Sequence, residues 1–232
     1  MSPVRKIRPN YRSLTGHVTR GPQEPTLQFE STLERDFYEV LTFGPAVENI
    51  ETQPFRVTFL DAAGQPHNYV PDCRFTLGPL GVPDGRRAPF LREESRVVCE
   101  IKYRSDLRRD WKELRARFRA CRALCAQSGW TFRIYTEREI RTPLLRNAEW
   151  LRGYGRAPAR LELRQEIHRI LLSQRQSTPA RLLAELLRAR GGDDTQLREL
   201  WSMLASGEVQ MDYCTPLDMD STIWSLARDV TV

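Results

Sequence analysis

The chain has 232 residues, long enough for one large domain or for a medium and a small one, each with its own core. Its formal charge of +6 is unevenly spread: residues 1–28 hold five basic and one acidic residue, 29–159 twenty-two and eighteen, and 160–232 nine and eleven, so a polyanion-binding surface is expected in the first two thirds. Cys73, Cys99, Cys121, Cys125 and Cys214 lack the paired spacing of a secreted disulfide framework or zinc ribbon, and no stretch approaches the roughly 20 apolar residues of a membrane span. These features exclude a small secreted scaffold and an integral helical membrane protein, and point to a soluble cytoplasmic protein with reduced thiols.

Residues 1–28 intersperse Arg5, Lys6, Arg8 and Arg12 with Pro and Gly and offer few large apolar side chains. They read as an extended basic arm, either laid along DNA phosphates or simply a disordered leader. Ser31 with Glu34 three residues later is a capping box, and Leu33, Phe37, Val40 and Leu41 follow at helical spacing, so a helix is expected to run from Ser31 to Gly44-Pro45. Ile50 to Leu60 then reads as one strand with Phe55, Val57 and Phe59 on a face. The turn Asp61-Ala62-Ala63-Gly64 returns the chain antiparallel through a second strand, Tyr69 to Leu77. Pro71 cannot donate to a ladder and belongs at a strand start, edge or bulge, which aims Asp72 toward a cleft. The Gly- and Pro-rich run from Gly78 to Glu94 reads as a loop or ragged hairpin.

The stretch Val97 to Tyr103 is the centre of the pattern. In a strand, Val97, Cys99, Ile101 and Tyr103 form an apolar face while Glu100 and Lys102 project together on the other. A helix follows from Ser105 to Gln127, with an apolar stripe of Leu107, Trp111, Leu114, Phe118, Cys121 and Cys125. Arg108, Lys112, Arg115, Arg119 and Arg122 form a parallel basic stripe, read either as a solvated face or as a rail for phosphates beside the acidic strand. Cys121 and Cys125 are four apart, but no His or third Cys accompanies them as a metal set. Trp130 to Tyr135 is a further strand, and Thr136 caps a short helix.

This order describes an α/β core. The expected boundaries are an arm at 1–28, a core domain at 29–152, a linker at 153–159 and a C-terminal domain at 160–232. The last contains helices at Leu161–Leu172, Thr178–Ala189 and Thr195–Ala205 and a tail with strand character, a pattern that suggests a winged helix. Its net acidity favours a protein partner over DNA.

Two carboxylates and a lysine on neighbouring strands suit metal-dependent phosphodiester hydrolysis. Mg²⁺, with Mn²⁺ as a substitute, takes hard oxygen ligands and commonly one or two protein carboxylates. Asp72 and Glu100 supply these, with the main-chain carbonyl of Ile101 as a further ligand and Glu34 for a second ion. Lys102 would orient the attacking water, act as its base if its pKa is lowered, or stabilise the phosphorane. The competing reading is a surface Glu100–Lys102 ion pair, an Asp72 that caps a turn and a Glu34 that caps a helix.

Pro71-Asp72 followed by Glu100-Ile101-Lys102 resembles the signature of the PD-(D/E)xK nuclease superfamily. More narrowly, Arg12-Ser13-Leu14-Thr15-Gly16, Ser31 to Phe37, Gln53-Pro54, Tyr69-Val70-Pro71-Asp72 and Phe132 to Arg141 together resemble the TnsA endonucleases of heteromeric transposon-encoded transposases. The resemblance implies a restriction-endonuclease-like core, a mixed sheet flanked by helices, with a smaller helical domain after it. It implies an enzyme that nicks the 5′ ends of a transposon in the bacterial cytoplasm, associated with the nucleoid when active. Its expected partners are transposon-end DNA, a TnsB-like DDE transposase that cuts the 3′ ends, and a TnsC-like AAA+ ATPase. The family's catalytic positions fall on Glu34, Asp72, Glu100 and Lys102; some relatives carry Gln where this chain has Glu100. A stand-alone restriction or repair nuclease and a catalytically inert DNA-binding assembly factor are the alternatives.

Overall fold

A computed structural model describes residues 16–18, 26–44, 47–61, 63–78, 85–91, 96–155, 158–191 and 194–226. The basic arm residues Arg5, Lys6, Arg8 and Arg12 lie outside the described residues. The described residues fall into two units, one within Met1–Gly81 and Arg87–Arg141, the other within Val82–Arg86 and Thr142–Val232.

In the first unit, β1 (Gly16–Val18) and β2 (Leu27–Phe29) pair antiparallel. Val18, Leu27 and Phe29 are buried, so the end of the expected arm joins the core of this unit, with β1 and β2 against α1 and β2 also beside β3. Gly16 is required there because a Cβ would fall 2.6 Å from the Phe29 ring. Helix α1 (Thr32–Phe43) starts where the capping signal predicts, with the Ser31 hydroxyl accepting from the Glu34 N–H. Leu33, Phe37, Val40 and Leu41 are all buried. Phe37 is wholly inaccessible and stacks on Tyr135 at 5.0 Å, so its truncation to Ala is worth about 3–5 kcal/mol.

The two long strands expected on either side of the Asp61 turn are each broken in two. β3 (Val47–Thr52) and β4 (Val57–Leu60) belong to different sheets because Gln53 has φ 49° and Pro54 supplies no N–H. β5 (Pro66–Tyr69) and β6 (Cys73–Leu77) are likewise separated at Val70-Pro71-Asp72. β4 and β5 form the antiparallel hairpin set by the turn, in which the Asp61 carboxylate accepts from the N–H groups of Ala63 and Gln65 and Gly64 takes φ 79°.

The main sheet has the order β3-β6-β7-β8, with β7 (Arg96–Ile101) between β6 and β8. β6 pairs antiparallel with β7, and α2 (Arg104–Gln127) is the crossover that makes β7 and β8 (Thr131–Tyr135) parallel. β7 is buried on both faces, as a central strand must be. One face meets α1. The other, with Val98 and Phe132, packs on Leu114, Phe118, Cys121 and Cys125 of α2 together with Val57 and Tyr69 of the hairpin. Of the expected α2 stripe, Trp111 departs: it is 47% exposed. Helix α3 (Glu137–Ile140) is held by the Thr136–Glu139 capping box, and the Glu137 carboxylate accepts from the Arg104 N–H at the start of α2.

The second unit contains α4 (Pro143–Leu151), α5 (Leu161–Gln174), α6 (Pro179–Arg190) and α7 (Asp194–Ser206), then an antiparallel ribbon of β9 (Val209–Met211) and β10 (Ile223–Ser225). The three expected helices are present, and Thr178 with Pro179 starts α6. α4 is tied into this unit by Asn147, whose amide donates to the carbonyls of Tyr213 and Thr215 and accepts from the Leu217 N–H. The division therefore lies after Arg141, and the segment 153–159 falls between α4 and α5 of one unit. Gly85 and Arg86, in the run read as a loop or ragged hairpin, also belong here: Gly85 donates to Gln210 and Arg86 to the Ala205 carbonyl. Among the described residues no helix is long and apolar enough to cross a membrane.

Candidate active site

Asp72 occupies the break between β5 and β6, where its backbone is fixed on both sides. Its N–H donates to the Cys99 carbonyl at 3.1 Å, and its carbonyl accepts from the Gln53 N–H at 2.9 Å and the Tyr38 hydroxyl at 3.4 Å. Pro71 thus precedes the ladder, as its missing donor requires, and the Asp72 side chain points across to β7. There Oδ2 accepts from the Ile101 N–H at 2.7 Å. This bond places Asp72 beside the segment that carries Glu100.

Glu100 is 2% exposed on the α2 face of β7. Its Oε2 accepts from the Tyr69 hydroxyl at 2.6 Å, and its Oε1 receives Lys102 Nζ at 3.1 Å and Arg117 Nη2 at 3.3 Å. A buried carboxylate needs such partners to remain in place. Lys102 lies just beyond β7, where its N–H continues the parallel ladder to the Tyr135 carbonyl. The expected Glu100–Lys102 pair is present, but it is largely buried and shared with two further donors, unlike an isolated surface ion pair.

The electrostatics follow from crowding. Burial, then the negative charges of Glu100 and Glu34, hold the Asp72 carboxyl well above the usual carboxylate range, against the opposing pull of the Ile101 N–H and Lys102. Burial also raises Tyr69, and neighbouring Glu100 and Asp72 add to it, so the phenol remains a donor. For Lys102, burial disfavours the ammonium, but Glu100 and Asp72 outweigh it and the pKa is raised. With these neighbours Lys102 is a fixed cation, and the expectation of a base with a lowered pKa is not met.

Glu34 caps its helix: Oε1 accepts from the Ser31 hydroxyl at 2.9 Å and Oε2 from the Glu30 N–H at 2.8 Å. It also lies within electrostatic reach of Asp72 and Glu100; burial raises its pKa, against the Glu30 N–H and the Ser31 hydroxyl that favour the carboxylate, and the charges of Glu30 and Glu100 add to the rise. Among the described residues no group of three or more His, Cys, Asp or Glu side chains is gathered to hold one ion, so Glu34 does not complete a ligand triad with Asp72 and Glu100. Two hard carboxylates whose mutual repulsion raises Asp72 nevertheless form a donor set that fits a divalent cation, and the Ile101 carbonyl is adjacent in sequence.

The basic stripe falls elsewhere than expected. Arg108, Lys112, Arg115, Arg119 and Arg122 are all exposed. At about 100° per residue they lie roughly 140–180° around α2 from Arg117, the residue that reaches Glu100. The flank beside the acidic strand instead carries Asp106, Asp110 and Arg117. Tyr69 and Arg117 are the site residues that sequence reasoning missed. Tyr69 stands three residues before Asp72 in the Tyr-Val-Pro-Asp segment, and Arg117 is the α2 cation that falls outside the stripe.

Residues 44–137 match the family model for the TnsA-like endonuclease N terminal. Over that segment the chain is similar to TnsA-like endonucleases. The match runs from before β3 to the start of α3 and takes in Asp72, Glu100, Ile101 and Lys102 as well as Tyr69 and Arg117, while Glu34 lies ahead of it. No curated protein matches the chain significantly. The matched segment contains the whole main sheet, β3-β6-β7-β8, and the helix α2 that packs on it.

Proposed function

We propose that the protein is a divalent-metal-dependent DNA endonuclease that cuts the 5′ ends of a transposon during cut-and-paste transposition, with a DDE transposase cutting the 3′ ends. The observation that carries this reading is Asp72 and Glu100 at adjoining strand ends with Lys102 beside them, inside the segment that matches TnsA-like endonucleases. Asp72, Glu100 and the Ile101 carbonyl would hold Mg²⁺ or Mn²⁺, which when bound supplies Lewis-acid stabilisation of the phosphodiester and activates water. Tyr69 holds one Glu100 oxygen, so the other is oriented toward the Lys102 side. Lys102, kept protonated by its acidic neighbours, orients the nucleophile and stabilises charge on the phosphorane. Glu34, held by Ser31 and Glu30 through one hydrogen bond to each oxygen, adds negative charge and would reach a second ion through its remaining lone pairs.

The arm residues Arg5, Lys6, Arg8 and Arg12 and the α2 stripe are the proposed phosphate contacts. The C-terminal unit, three helices with a two-stranded ribbon, is read as winged-helix-like, and its acidity suits a protein partner such as the AAA+ regulator. These assignments place the protein in the bacterial cytoplasm, at the nucleoid when active.

The test is cleavage of a supercoiled plasmid bearing transposon ends, with and without Mg²⁺, transposase and ATPase. Nicking that requires the metal and the partners is expected. Robust Mg²⁺-dependent cutting of plain duplex by the protein alone would favour a stand-alone nuclease, and no 5′ cutting with all components present would leave an inert assembly factor.

A further inference from the structure

Arg117 is tethered by one hydrogen bond among the described residues, the 3.3 Å contact from Nη2 to Glu100 Oε1. That oxygen is shared with Lys102 at the shorter distance of 3.1 Å, while Oε2 is engaged by Tyr69. The guanidinium is held mainly by its faces, 5.2 Å from the Tyr69 ring centroid and 5.3 Å from that of Phe118. Its Nε is buried with no hydrogen-bond partner, and 29% of the side chain is exposed. A guanidinium carries five donors in a planar fork suited to phosphate oxygens. Here most of that capacity is unused, and the buried Nε without an acceptor is unfavourable.

We propose that Arg117 is a phosphate-binding residue of the active site, exchanging its contact with Glu100 for the scissile phosphate when a divalent cation takes that carboxylate. The proposal rests on the nuclease reading above. A cation at Asp72 and Glu100 competes for the Oε1 lone pairs and repels the two cations already there. Lys102, fixed two residues along the same segment, has the shorter contact; Arg117 has the longer one and an aromatic surface on which to pivot. Released, its fork meets an anion beside the carboxylate pair, and the charge of the phosphorane is where such a donor has its largest effect.

This assignment is opposite in sign to a role in holding Glu100 for the metal. If Arg117 competes with the cation, removing it tightens metal binding; if it positions a ligand, removal weakens it. The experiment measures Mn²⁺ uptake by the full chain without DNA, using electron paramagnetic resonance, for wild type, Arg117→Met and Arg117→Lys, with thermal unfolding as a check on folding. Strand cleavage at saturating metal, in the complete transposase mixture, is measured for the same proteins. Arg117→Met is expected to bind Mn²⁺ roughly tenfold more tightly, because a positive charge close to the site is gone. It is also expected to cut about a hundredfold more slowly at saturation. Arg117→Lys should bind Mn²⁺ nearly as wild type and cut at a rate between the two, since it keeps the charge without the fork. Unchanged or weaker Mn²⁺ binding by Arg117→Met, or an unchanged rate at saturation, overturns the assignment while leaving the nuclease reading intact. Absence of Mn²⁺ uptake by the wild type, or uptake unaltered by Asp72→Ala, overturns both.

Discussion

At the scale of single residues, Asp72 sits in an electrostatically crowded position. Asp72 is pressed upward in pKa by burial and by Glu100 and Glu34, while it is held by the Ile101 N–H. Between the ordinary carboxylate value, about 3.9, and the raised folded value, the folded protein keeps a proton that the unfolded chain has released. Metal-free stability therefore falls as pH rises through that interval and is level above it. Asp72→Asn keeps an acceptor for Ile101 and removes the charge. Its metal-free unfolding midpoint at neutral pH should exceed that of wild type, by about 2–4 °C for each kcal/mol relieved, and the gap should close toward acid pH. Added Mg²⁺ should raise the wild-type midpoint and leave that of the variant nearly unchanged. A variant less stable than wild type at neutral pH without metal would show that Asp72 is not under this strain. Asp72, Glu100 and Lys102 were legible in the sequence because a charged pair in an apolar strand and an acid after Pro71 are local patterns. Tyr69 and Arg117 were not, since they reach Glu100 across 31 and 17 residues and only the fold brings them there.

At the scale of elements, α2 carries different charged groups on opposite flanks. Its buried stripe of Leu114, Phe118, Cys121 and Cys125 packs beneath the sheet and the hairpin, Arg117 turns to Glu100, and the five exposed cations face away from that contact. On the proposed reading, a DNA rail on that flank would be separate from Arg117. Replacing Arg115 and Arg119 with Gln should weaken duplex binding and reduce the slope of log affinity against log salt by about two, one for each lost phosphate contact. Mn²⁺ uptake should be unaffected. An unchanged slope would identify the stripe as a merely solvated face. The helices were readable because caps and periodicity are local: Ser31, Thr136 and Thr178 all cap as their sequence contexts predict. The strands were merged by the same local reasoning, which followed the apolar alternation through Gln53-Pro54 and Val70-Pro71. A positive φ and a missing donor end the ladders there and send the hairpin to α2 while β3 and β6 stay in the main sheet.

At the scale of the whole molecule, each unit has its own core and polar staples. In the second, Arg164 binds Glu199, Glu208 and Ser202, and Asn147 draws the tail onto α4. The boundary was hidden because Gly153 and Pro158 advertise a linker, whereas the partners that bind Gly85, Arg86 and Asn147 lie 66–125 residues away. On the proposed function, the first unit performs strand-specific chemistry through Asp72 and Lys102 while the rest of the assembly operates without it. Strand-resolved mapping of cuts at transposon ends, with transposase, ATPase and Mg²⁺ present, tests this most directly. Asp72→Ala and Lys102→Ala should each abolish 5′ cutting while folding, assembly and 3′ cutting by the transposase persist; undiminished 5′ cutting by either variant would contradict the account.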